Sequence, residues 1–131
     1  MKFAYSKGSA GRNEMRERQR RDRARTPILR ARFPQFDSVR LEFDFTDAGP
    51  FPPAPQVAVL HPPAPAYFVF PCPYSDCDGE FDLTSAIDAM ADSDRARCEG
   101  HMRCAGHRRV EKSVGTSCAL SMEFQVVAKS A

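Results

Sequence analysis

Val39, Leu41, Phe43 and Phe45 alternate with Arg40, Glu42 and Asp44, a period of two that predicts a half-buried strand. Leu120, Met122, Phe124 and Val126 alternate with Ser121, Glu123 and Gln125 and predict a second strand of the same kind. Asp47-Ala48-Gly49-Pro50 closes the first with turn residues. Ala66-Tyr67-Phe68-Val69-Phe70 has no polar face, which predicts a strand covered on both sides and central in its sheet. Gln56-Val57-Ala58-Val59-Leu60 lies between two copies of Pro-Pro-Ala-Pro, at 52–55 and 62–65. Proline cannot donate to a strand ladder, so this segment is predicted at a sheet edge, with the prolines forming rigid loops rather than a polyproline ligand. Residues 97–104 add a further strand in which Gly100 is an irregularity.

The period lengthens at Leu83, Ile87, Met90 and Ala91, whose spacing predicts one helix with an apolar stripe. Thr84 or Ser85 is its expected cap, with Asp88 as the reciprocal partner, and Asp92-Ser93-Asp94 its end. Four to six strands and one body helix make a small antiparallel α+β domain over residues 33–131.

Residues 1–32 form a separate basic arm. They hold 11 Lys/Arg against 3 acidic residues, a net of +8, whereas residues 33–131 hold 8 against 14, a net of −6. The overall charge of +2 therefore conceals a cationic tail on an acidic body. From Arg12 to Arg25 the only apolar residues are Met15 and Ala24. Helix propensity is good there, and Glu14/Arg18 and Glu17/Arg21 stand four apart. A helix polar all round has no face to bury, so the arm is expected to be helical or disordered until it is bound, and Pro27 ends it.

The arm contains seven Arg and no Lys in those fourteen positions, which suits planar, bidentate recognition of phosphates and base edges. Arg12, Arg16, Arg18, Arg20, Arg21, Arg23, Arg25, Arg30 and Arg32 are the candidate nucleic-acid contacts. RNA or a ribonucleoprotein such as the ribosome is the expected partner, since arginine-rich segments commonly order on RNA. The stretch 17–23 resembles the arginine-rich motifs of RNA-binding peptides in composition. The alternatives are a solvated tail, or an arm that folds back on its own acidic body. Asp76, Asp78, Glu80 and Asp82 alternate along one such acidic stretch, read as a solvated face or a dock for the arm.

The longest apolar run is far short of the ~20 residues that span a bilayer, and no secretory leader is recognisable. A cytoplasmic location with no membrane partner is expected. In that reducing setting five cysteines point to metal ligation rather than disulfides. Cys72 and Cys77 form C-x4-C directly after a predicted strand and ahead of Asp78-Gly79. A structural Zn²⁺ takes four ligands, usually as two pairs from separated segments. Cys104 and Cys118 are the second pair of choice: Cys104 begins a turn after a strand, and Cys118 immediately precedes the last one. Cys98 sits inside a strand, but Cys98-Glu99-Gly100-His101 echoes Cys104-Ala105-Gly106-His107, so Cys98 or His107 in place of Cys104 stays open. His101 and His107 read first as polar surface residues.

Strand, knuckle, glycine, and a second cysteine pair before a closing strand: over residues 66–128 this resembles the zinc-ribbon proteins, on Cys72, Cys77, Gly79, Cys104 and Cys118. The chain departs from the common pattern in its C-x4-C, in the 13 residues between Cys104 and Cys118, and in the inserted helix. The resemblance implies a rigid docking platform. Four thiolates close the coordination shell, so a structural zinc is expected rather than a catalytic one. No nucleotide-binding, hydrolase or zinc-protease motif is present, and thiol redox or hydrolytic activity is the lesser reading. The expected function is a zinc-stapled nucleic-acid-binding module. The alternative is a protein–protein adaptor docking through the acidic, proline-flanked β body.

Overall fold

Strand β1 (Phe36–Thr46) buries Val39, Leu41, Phe43 and Phe45 on one face, as their alternation requires. Phe36 is also buried although its parity is wrong, because the register against the neighbouring strand shifts between Phe36 and Ser38. The computed structural model describes residues 10–47, 51–108 and 116–130, so part of the turn expected at 47–50 lies outside the described residues. Helices α1 (Gly11–Arg25) and α2 (Leu29–Arg32) precede β1. After it come β2 (Gln56–Leu60), β3 (Val69–Pro71), β4 (Glu80–Asp82), α3 (Thr84–Asp92), β5 (Arg97–Arg103), β6 (His107–Arg108), β7 (Thr116–Ser117) and β8 (Ser121–Ser130).

The main sheet is antiparallel with strand order β2-β1-β8-β5, and the protein is a small α+β domain. Across the central pair, Leu41 faces Val126, Phe43 faces Phe124 and Phe45 faces Met122, so apolar meets apolar on the inner face. On the outer face Arg40 lies opposite Val127, Glu42 opposite Gln125 and Asp44 opposite Glu123. β2 is an edge strand, as its flanking prolines predict.

A second layer covers the inner face. Ile87 and Met90 of α3 are buried, together with Leu29, Phe33, Phe68, Phe81 and Leu83. Phe70 packs tilted against Phe43 with ring centroids 5.0 Å apart, and Phe81 meets Phe45 at 6.4 Å. The segment 66–70 is thus not the central strand expected from its composition. Only its end pairs, in a two-stranded hairpin of β3 with β4. It lacks a polar face because it is sandwiched between the main sheet on one side and α1 on the other.

Helix α3 is capped differently from the expectation. Leu83 is the N-cap, the Asp82 carboxylate accepts the Thr84 N–H at 2.9 Å, and Asp88 pairs with Arg32. No described helix is long and apolar enough to cross a membrane.

Candidate metal centre

The β3–β4 hairpin and the β6–β7 hairpin bring their cysteines together. In the first, residues 72–79 are the connecting loop, closed by the Cys72 N–H donating to the Gly79 carbonyl at 3.0 Å. In the second, Cys104 and Cys118 stand at the base, where the Cys118 N–H donates to the Gly106 carbonyl at 2.9 Å. The Cys104 N–H donates to the Leu120 carbonyl at 2.9 Å, which ties this base to the main sheet. The loops are joined by a bridge between Cys77 and Arg108 and by Asp78, whose carboxylate accepts the His107 N–H at 2.6 Å.

The result is a cluster of four buried sulfurs, Cys72, Cys77, Cys104 and Cys118, all within 4.8 Å of one another. Cys77 and Cys104 sulfurs are 3.6 Å apart, and Cys72 and Cys118 sulfurs 3.9 Å. Sulfurs at ~2.3 Å from a shared tetrahedral ion stand about 3.8 Å apart, so these separations fit a thiolate-bound metal and are far too long for disulfides. The cluster can hold a metal ion, each of the four residues offering one sulfur.

Two backbone amides support the sulfurs. The Gly79 N–H donates to Cys77 Sγ at 3.3 Å and the Gly106 N–H to Cys104 Sγ at 3.4 Å. Both knuckles therefore read Cys-x-Gly, at 77–79 and 104–106. Cys98-Glu99-Gly100 has the same spacing, so the pattern alone does not separate the two; position does, since Cys98 lies inside β5 and Cys104 follows its end. Hydrogen bonds from Cys72 and Cys77 hold Cys104 down to about 4, and the same contacts push Cys72 up. Mutual contacts and burial push Cys72, Cys77 and Cys118 up, because several negative charges without a cation cannot share so small a volume. Cys98 lies outside the cluster, half-buried in β5 opposite Val126, and burial raises its thiol.

The arginine arm folds onto this centre. Arg12 Nη1 donates to the carbonyls of Cys72 at 2.8 Å, Tyr74 at 2.8 Å and Cys77 at 3.1 Å. Further along α1, Met15 and Gln19 are buried. Gln19 donates to Glu80 at 2.9 Å and accepts from Arg16 at 2.9 Å, so its buried amide is satisfied on both sides. Arg18 pairs with the same Glu80 at 2.8 Å. The helix expected to lack a buried face has one, narrow and mostly polar.

The acidic stretch 76–82 is consumed by local structure. Asp76 accepts from Arg108 Nε at 3.1 Å, Asp78 joins the two loops, Glu80 holds α1, and Asp82 serves α3. Arg108 also lies 3.7 Å over the Tyr74 ring, whose hydroxyl bonds Asp47. Among the other candidate arginines, Arg32 pairs with Asp88 at 2.6 Å and Arg23 stacks on Tyr67 at 5.4 Å. Arg20, Arg21, Arg25 and Arg30 remain exposed. The role of Arg12 was not legible in a uniformly arginine-rich sequence.

Compared with known proteins, the chain matches no protein-family model, no curated protein and no solved structure.

Proposed function

We propose that the protein is a zinc-stapled, non-catalytic binding module of the zinc-ribbon type that presents an arginine-rich helix to RNA in the cytoplasm, as part of a ribonucleoprotein. The observation that carries this reading is the docking of α1 on the four-cysteine loop through Arg12, with Arg20, Arg21, Arg25 and Arg30 left exposed. Zinc suits the donor set, since four thiolates fill a tetrahedral shell and leave no position for substrate. When bound, the ion supplies a cross-link between the two hairpins, and Arg12 sets a positive charge beside the resulting anionic centre. The helix is then held in one orientation, so its outward guanidiniums meet phosphates without the ordering cost of a free arm.

A fluorescence-anisotropy titration of the metal-loaded protein with a single-stranded RNA tests this. Wild type should bind with a salt slope near −3, about −0.7 for each of the exposed arginines engaged. R20A/R21A/R25A/R30A should lose that binding while retaining its metal. Absence of binding by wild type, or equal binding by the variant, would overturn the reading.

A second reading, a protein–protein adaptor, is favoured by the outer face of the sheet, where Asp44, Glu123 and His101 form one cross-strand row beside Glu42 and Glu99. Partners captured by the wild-type protein that survive nuclease treatment would support it.

A further inference from the structure

The two edges of the main sheet are unlike. β5 exposes Arg97, Glu99, His101 and Arg103, the charged decoration by which sheet edges avoid pairing with other chains. β2 has no charged residue, and among the described residues it pairs with β1 alone. Ala58 and Leu60 lie opposite Leu41 and Val39 on the inner side, whereas Val57 and Val59 lie on the outer side opposite Glu42 and Arg40. Those valines are 52% and 45% exposed, two of four exposed large hydrophobics among the described residues. The prolines at 55 and 62 bound the strand and confine any added ladder to its five residues.

We infer that β2 is a homodimer edge, to which a second copy of this chain adds its own β2 antiparallel about a two-fold axis at Ala58. The sequence Val57-Ala58-Val59 is its own complement about that axis, which is what an isologous contact demands. Val57 then lies opposite the partner's Val59 on the outer face, so both exposed valines are covered by the same operation. Charge agrees with the pairing. Val57 neighbours Glu42 and Val59 neighbours Arg40, and these two charges pair with each other at 3.6 Å within the chain. Each cross-strand row therefore runs Glu42, Val57, the partner's Val59, the partner's Arg40 and sets no like charges against one another. The two sheets become one, and the unguarded backbone edge disappears. This inference is independent of the metal and of RNA.

Sedimentation velocity on the full-length, metal-loaded protein over a concentration series tests it. Wild type should show a reversible monomer–dimer equilibrium. V57K/V59K sets Lys against Lys at both symmetry-related pairs. V57K/V59E sets Lys against Glu there, while keeping Lys beside Glu42 and Glu beside Arg40 within the chain. Both valines are exposed, so both variants should keep the wild-type circular dichroism spectrum. At low salt the like-charge variant should dimerise at least about tenfold more weakly than the opposite-charge one. A wild type that stays monomeric, or two variants equally impaired or equally unaffected, would overturn the inference.

Discussion

Gly79 and Gly106 meet backbone to backbone beside the four sulfurs. A Cβ on Gly106 would run into the nitrogen and Cα of Gly79, and would lie 2.8 Å from the Asp78 carboxylate; a Cβ on Gly79 would strike the Cys104 sulfur. The two knuckles can approach closely enough to share one ion only because neither carries a side chain at this point. Gly106→Ala and Gly79→Ala should each lower stability by about 1–3 kcal/mol, the range for overpacking a filled site. They should also weaken metal retention against a chromophoric chelator. Wild-type thermal unfolding and retention in both variants would show that the contact is not limiting.

The ligand set is testable one sulfur at a time. Cys72→Ser, Cys77→Ser, Cys104→Ser and Cys118→Ser should each reduce bound metal well below one per chain. Cys98→Ser and His107→Ala should not, since Cys98 is outside the cluster and the His107 side chain is not one of the four donors. Metal analysis of the six purified variants checks this; loss of metal on replacing Cys98 would redraw the centre.

Arg12 joins the arm to the centre through three carbonyls of a single loop. Charge-assisted hydrogen bonds of this kind contribute on the order of 1.5–3 kcal/mol, so Arg12→Ala should free α1 without unfolding the sheet. Hydrogen exchange should rise across residues 11–25 and stay unchanged in β1 and β8. Uniform protection in the variant would mean that Met15, Gln19 and Arg18 hold the helix by themselves.

The Arg32–Asp88 pair should matter less. Its side chains are 32% and 40% exposed, and half-exposed ion pairs contribute about 0.2–1 kcal/mol because water screens them. A double-mutant cycle with Arg32→Ala and Asp88→Ala should return a coupling in that range, smaller at high salt. A coupling above about 2 kcal/mol would mean that the pair is screened far less than its exposure implies.

Much of this arrangement was readable in the sequence, and the exceptions have physical causes. The alternation of β1 and β8 was plain because each has one face on the core and one in water. The four cysteines were legible because ligands must come in separated pairs next to tight turns, and the structure gathers those same four. Residues 66–70 misled because burial on both faces arises as readily between a sheet and a helix as inside a sheet. The docked face of α1 was hidden because it is built from Arg12, Gln19 and Arg18, polar groups whose partners are backbone carbonyls and Glu80. Hydrophobic periodicity carries no trace of such a surface.

In the proposed arrangement one metal ion, bound by Cys72, Cys77, Cys104 and Cys118, fastens the two hairpins to each other and to the sheet. Structural zinc sites contribute apparent binding free energies of about 10–16 kcal/mol, enough to decide whether a small domain folds. Native mass spectrometry with elemental analysis, followed by circular dichroism after chelation, tests this most directly. One zinc per chain, and loss of the β signal when it is withdrawn, are the expected results. Protein that carries no stoichiometric metal, or that keeps its spectrum unchanged after chelation, would contradict that arrangement.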